Sequence, residues 1–193
     1  MKVDLHLHTT CSDGLFTPQQ LVKKAYELNL KAIAITDHDT VDGILPAIIE
    51  ANKYKDLEVI PGIELSTHCN GQEVHILGYY IDYENFHLKE QLLDLQQNRI
   101  KRLEKILTKL NDIDIQIKYD DVYKYSRGTS VGRPHVALAL VEKGYVSSIK
   151  EAFDKFLAKG RPAYVPRKKL TPIDAIKLIK ECRGIPVLAH PGL

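Results

Sequence analysis

The chain has 193 residues, 44% of them apolar and 27% charged, with a formal net charge of +2. That suits one domain, or one domain with an insertion, able to bury a sizeable core, and it gives no support for coating duplex DNA or a membrane surface. No apolar run approaches bilayer-spanning length, the polar N-terminus does not read as a signal peptide, and Cys11, Cys69 and Cys182 form neither a zinc-ribbon spacing nor a disulfide framework. A cytoplasmic protein is expected.

In chain order, residues 2–7 predict a strand in which Val3, Leu5 and Leu7 face a packed layer while Asp4, His6 and His8 converge on the other side. Thr17-Pro18 opens a helix whose buried stripe is Leu21, Val22, Ala25 and Leu28. "KAIAITDHDT" is a buried strand ending in a polar burst, and "VDGILPAIIEANKY" is a helix despite Pro46. "LEVIPGIELST" and "EVHILGYYI" are two further strands, and the alternation with helices predicts parallel β/α units. From about residue 84 to 160 the patterns turn helical and charged. "LKEQLLDLQQNRIKRLEKILTKL" is a long amphipathic helix with Leu92, Leu95, Ile100, Leu103 and Leu107 on its apolar face. Shorter helices are expected over 133–142 and 147–157, "RPAYVPRKKLTP" as a return linker, a helix over 172–182 with Gly184 as C-cap, and "IPVLAHPGL" as a last strand. The expected organisation is a β/α scaffold over 1–83, a helical insertion over 84–165, and the scaffold continued over 166–193.

The polar bursts fall on or just after the predicted strands: His6, His8 and Asp13, then His38 between Asp37 and Asp39, then Glu64, His75 and His190. In β/α barrels the functional groups gather at the C-terminal strand ends, so these residues are expected in one basin. Histidine with aspartate and glutamate, and no cysteine, suits divalent Zn, Mn or Fe. The set is too large for one tetrahedral ion, and two or three ions bridged by Glu64 or Asp13 account for it better. No glycine-rich phosphate loop and no G-x-S-x-G elbow is present.

"DLHLHTTCSDG", "ITDHDT", "PGIELS", "VHILGY" and "LAHPG" together resemble the successive motifs of the PHP (polymerase and histidinol phosphatase) family of metal-dependent phosphoesterases. Within it, the chain is most similar to the small bacterial members that hydrolyse nucleoside 3′,5′-bisphosphates and trim short RNA from the 5′ end. The resemblance implies a distorted, TIM-like (β/α)7 barrel with a helical insertion and a centre of up to three ions. His6 and His8 are then expected on one ion, Asp13 and His38 on a second, and His75 and His190 on a third, with Glu64 bridging the first and third. Asp4, Asp37 and Asp39 are expected to orient the ligand imidazoles. The family pattern continues past "AHPG" to an Asp-x-His motif not found here, so the chain is expected to be a C-terminally truncated piece.

The implied reaction is hydrolysis of a phosphate monoester by a metal-activated hydroxide, with no protein nucleophile. Arg133 and His135, at a helix start, are assigned to substrate phosphate on the resemblance and on the anion preference of helix N-termini. Arg99 and Arg102, three apart on the long helix, read either as a grip on a second phosphate or as surface charge. Tyr79 and Tyr80 read either as a base-stacking group or as core, and His68 and His87 as surface residues. Expected partners are a small phosphorylated substrate, a nucleotide or a short oligonucleotide, with neither membrane nor duplex DNA; the oligomeric state is left open. The alternatives are a histidinol-phosphate or other small phosphomonoester phosphatase, or a non-catalytic PHP module.

Overall fold

A computed structural model describes residues 2–126, 131–167 and 170–192; Lys168 and Lys169 of the expected linker lie outside them. The elements are β1 (Val3–Leu7), α1 (Pro18–Glu27), β2 (Ala32–Ile35), α2 (Ile44–Ala51), β3 (Glu58–Cys69), β4 (Gln72–Tyr79), α3 (Phe86–Asn111), α4 (Tyr119–Tyr123), α5 (Arg133–Glu142), α6 (Ile149–Ala152) with a π-helical turn at Phe153–Leu157, α7 (Pro172–Glu181) and β5 (Ile185–Leu188). By contacts the chain falls into two compact units, Met1–Leu93 with Lys169–Leu193, and Asp94–Lys168.

The first unit is α/β. Its five strands form one sheet in the order β1-β2-β3-β4-β5. β1, β2 and β3 are parallel, whereas β4 is antiparallel to β3 and β5 antiparallel to β4. Four strands thus run one way and β4 runs against them, which departs from uniformly parallel β/α units. The cause is local: Asn70 and Gly71 link β3 to β4 with φ of 49° and 88°, the two positive values of a tight hairpin turn. The reversal sets the N-terminal half of β4 beside the C-terminal half of β3, with His75 opposite Ser66 and Leu77 opposite Glu64.

Ile33, Ile35, Ile63 and Leu65 on β2 and β3 are fully buried, as are Val22 on α1 and Ile44 and Ala47 on α2. The edge strands differ. Val3 and Leu5, expected against a packed layer, are 44% and 38% exposed, and Ile185, Val187 and Leu188 on β5 are exposed too. An end strand has only one neighbour to bury its side chains. Leu28 is likewise exposed, because it is the C-cap of α1, where the chain leaves the helix through Asn29 at φ 55°. Thr17 caps the other end in a reciprocal box with Gln20, with Pro18 in the first turn. At the end of α7 it is Arg183 that takes the left-handed conformation, φ 61°, not Gly184. Gly184 donates its N–H to Ile179 O at 2.8 Å, and a Cβ there would lie 2.6 Å from Ile81 Cγ2; its smallness serves close packing.

The second unit is helical. Leu103, Ile106, Leu107 and Leu110 of α3 share a buried cluster with Val122, Val136, Leu140 and Leu157. Ile100, at the margin of the predicted stripe, is 37% exposed. Among the described residues no helix is long and apolar enough to cross a membrane.

Candidate metal centre

Glu64 is the hub of the first unit's polar residues. Its side chain is 1% exposed, and five imidazoles close on its carboxylate. Nε2 of His6, His8 and His38 lie 3.1, 3.2 and 3.3 Å from Oε2. His75 Nδ1 and His190 Nε2 lie 3.0 and 3.2 Å from Oε1. A carboxylate offers about four acceptor positions in all, so five ring nitrogens oversubscribe it. Asp13, two-thirds exposed, stands at the rim, 3.6 Å from His8 Nδ1 and 3.8 Å from His38 Nε2.

Strand geometry explains the convergence. His38 lies just beyond β2 and pairs across a parallel bridge with Glu64. Asp39 N–H donates to Glu64 O at 3.0 Å and Glu64 N–H to Asp37 O at 3.2 Å. Because β4 runs backward, His75 reaches the same end of the sheet from mid-strand, not from a C-terminal strand end. Ala189 N–H donates to His75 O at 3.0 Å, which places His190 one residue past that pair, at a positive φ of 30°. On β1 a bulge interrupts the alternation between Asp4 and Leu7. Asp4 Oδ1 accepts His6 N–H at 3.3 Å.

The aspartates expected to orient imidazoles act on backbone and loop. Asp37, 1% exposed, accepts from Thr9 N–H at 2.6 Å, Thr9 Oγ1 at 2.7 Å and Ser12 Oγ at 2.6 Å. It therefore holds the loop after β1 that carries Asp13, and no imidazole is within its hydrogen bonds. Gly43 closes this network, since a Cβ there would stand 2.4 Å from Asp37 Oδ2 and 2.9 Å from Thr9 Oγ1. Asp39, at φ 52°, accepts Ser66 N–H at 2.9 Å. A further carboxylate beside an imidazole is Glu73, 3.4 Å from His75 Nε2. It was not anticipated, although its position two residues before His75 puts it on the same face of β4.

Burial pushes the Glu64 carboxyl up. Hydrogen bonds from His75 and His8, the field of His38 and a bond from His6 outweigh it and hold Glu64 well below the usual carboxylate range. Hydrogen bonds to Glu64 and then Glu73 raise His75 to about 9. Burial lowers His38 more than the field of Glu64 raises it, so the ring favours the neutral, ligand-competent form. A divalent cation suits this donor set. His8 Nδ1 and His38 Nδ1 are buried without a hydrogen-bond partner, and three overlapping groups have ligand atoms all within 4.8 Å of one another: His6, His8 and Glu64; His8, Asp13 and His38; His38, Glu64 and His75.

The second unit brings the arginines together. Arg133 Nη1 donates to Leu157 O at 3.1 Å, at the end of the π-helical turn, and its guanidinium lies 5.4 Å from the Phe153 ring and 5.7 Å from the Tyr164 ring. Burial lowers Arg102 to about 10, aided by the like charges of Arg133, Arg167 and Arg99. Arg167 was not anticipated, because its linker setting carries no periodicity. His135 Nδ1 accepts Gly132 N–H at 3.1 Å, which puts the proton of the neutral ring on Nε2 as a donor; burial favours that neutral form. In the first unit, Tyr79 is a packing residue, set against Ala32, Ala34 and Ile60 with its hydroxyl donating to Leu5 O at 2.9 Å. Tyr80, exposed, donates to Glu58. His68 and His87 are exposed, as expected.

A parallel-cored α/β sheet that gathers histidines and a buried glutamate at one end defines a class of scaffold with a metal-ligating donor set. The particular family follows from comparison: the PHP domain pattern matches residues 4–182, and the chain belongs to that family. It is 40% identical over 190 residues to the 5′-3′ exoribonuclease Rnm of Escherichia coli, a match covering 98% of this chain and 65% of that protein. It is 30% identical over 191 residues to the 3′,5′-nucleoside bisphosphate phosphatase of Chromobacterium violaceum, covering 98% and 67%. A solved chain from Bifidobacterium adolescentis, assigned as a metal-dependent phosphoesterase, superposes with a TM-score of 0.79 at 31% identity, covering all of this chain and 68% of that one. The fold is thus the TIM-like PHP fold, and the chain spans about two thirds of the length of these relatives.

Proposed function

We propose that the protein is a metal-dependent phosphoesterase that hydrolyses phosphate monoesters of nucleotides, namely nucleoside 3′,5′-bisphosphates or the 5′ ends of short RNA, in the cytoplasm. The observation that carries the proposal is the convergence of five imidazoles on one buried carboxylate, a nitrogen and oxygen donor set that suits divalent cations. The names of the relatives support the substrate class.

In this reading Glu64 bridges. Its Oε2 faces His6, His8 and His38 and its Oε1 faces His75 and His190, with Asp13 completing the rim. When bound, divalent ions (Mn, Zn or Fe) supply an acidified water and offset charge on the phosphoryl oxygens. Asp37 positions the loop of Asp13 through Thr9 and Ser12. Arg133 offers its fork to phosphate oxygens, His135 adds the Nε2 donor, and Arg99 and Arg102 take a second phosphate.

The deciding experiment is metal analysis of the purified protein alongside turnover of a nucleoside 3′,5′-bisphosphate, histidinol phosphate and a 5′-phosphorylated oligoribonucleotide. Co-purifying metal with turnover restricted to the nucleotides supports the reading. Bound metal with preferential histidinol-phosphate turnover replaces its substrate, and absence of metal binding removes it.

A further inference from the structure

The unit Asp94–Lys168 holds 16 lysines and arginines against 9 aspartates and glutamates, a net +7, while the rest of the chain holds 11 against 16, a net −5. The excess includes a row on α3. Asn98, Arg102, Lys105 and Lys109 stand three or four residues apart and so share one face. All four bear donors and none is a carboxylate. At about 1.5 Å per residue the row is about 16 Å long.

A segment of the chain lies along this row. Val165 O accepts from Arg102 Nε at 2.8 Å and Tyr164 O accepts from Lys109 Nζ at 2.9 Å. Beside these bonds opens a cavity of about 330 Å³ lined by Lys105, Thr108, Lys109, Tyr164, Val165 and Pro166, with no acidic residue among them. Two donors on the row lack an acceptor of matching kind. Asn98 Nδ2 is buried with no hydrogen-bond partner among the described residues, a donor that an arriving acceptor would satisfy. Arg102, half-buried, has guanidiniums for charged neighbours.

We propose that this face of α3, with the Tyr164–Pro166 segment, binds a single-stranded nucleic acid. Arg102, Lys105 and Lys109 take phosphates, and the cavity takes a base or ribose against Tyr164, Val165 and Pro166. Cationic side chains beside an aromatic and apolar wall are the combination that binds single strands. A duplex keeps its bases stacked inside and has none to place in such a cavity. The proposal rests on the nucleotide reading above, but its test needs no hydrolysis.

The test is fluorescence anisotropy on the chelator-treated protein with three probes: a five-nucleotide single-stranded RNA, a nucleoside 3′,5′-bisphosphate and an RNA duplex of equal charge to the pentamer. The pentamer is expected to bind at least about tenfold more tightly than the bisphosphate. The double variant K105E/K109E should remove most of that advantage and lower the salt slope by about 1.4 for two lost phosphate contacts. K105Q/K109Q should give a smaller loss in the same direction, whereas K118E/K150E, with the same charge change at exposed lysines outside α3, should leave the advantage intact. Unchanged pentamer affinity in K105E/K109E, an equal loss in K118E/K150E, or tighter binding of the duplex overturns the proposal. Failure of turnover with pentamer binding intact would instead count against the hydrolytic reading alone.

Discussion

The two units bury opposite charges. In the sheet unit the buried group is an acid, Glu64, ringed by five imidazoles; in the helical unit a base, Arg102, is half-buried among other guanidiniums. The first arrangement is over-supplied with nitrogen donors and attracts cations. The second is over-supplied with fixed positive charge and attracts anions. Under the proposed function, metal chemistry would fall to the first arrangement and phosphate recognition to the second.

The largest expected effect falls on the acid. Glu64→Gln keeps the shape of the side chain and removes its charge. Metal measured by mass spectrometry should fall to background, and turnover should drop by more than about 100-fold. Retained metal in this variant would break the comparison, because Glu64 would not be the bridge.

Arg133→Ala should leave the metal content unchanged and raise KM for a phosphate ester by about 10- to 100-fold, the worth of hydrogen bonds to a charged group. Arg133→Lys should recover only part of this, since an ammonium lacks the planar fork. Metal loss equal to that of Glu64→Gln would show that the two roles are not separate.

Chelation sharpens the comparison further. Ions present at about 100 times their dissociation constant stabilise the folded state by about 2.7 kcal/mol. Their removal should raise amide hydrogen exchange in β2–β4 peptides and leave the core of α5 protected. Exchange increasing equally in both regions would contradict a metal site confined to the sheet unit.

The smallest effect belongs to Gly43→Ala. A methyl group 2.4 Å from Asp37 Oδ2 must displace the carboxylate, at about 1–3 kcal/mol read from the denaturant midpoint. The Asp13 loop should loosen, with metal affinity falling by less than in Glu64→Gln. Wild-type stability and affinity would mean that Asp37 does not position that loop.

Much of the site was legible before folding, because its chemistry is local to short motifs. Each of "HLH", "DHD", "IEL", "VHI" and "AHP" carries its donors on or beside a strand, and a strand leaves little choice of face. The Asn70-Gly71 dipeptide is a hairpin signal, whereas the alternation of strands and helices points to parallel units. The bulge in β1 had no readable signal, because it depends on pairing with β2.

What the sequence by itself determined is the inventory: histidines and carboxylates at strand ends, a helix opened by Thr17 and Pro18, and a charged helical segment between scaffold parts. Local backbone preference and period are enough for that. Only the tertiary structure decided that Glu64, fully buried, is the shared partner of five rings, that Asp37 serves a loop, and that Arg102 sits among like charges. Those outcomes depend on residues as far apart as His6 and His190, and on which side chains lose their water when strands pair. Neither distance nor desolvation is written in a local pattern.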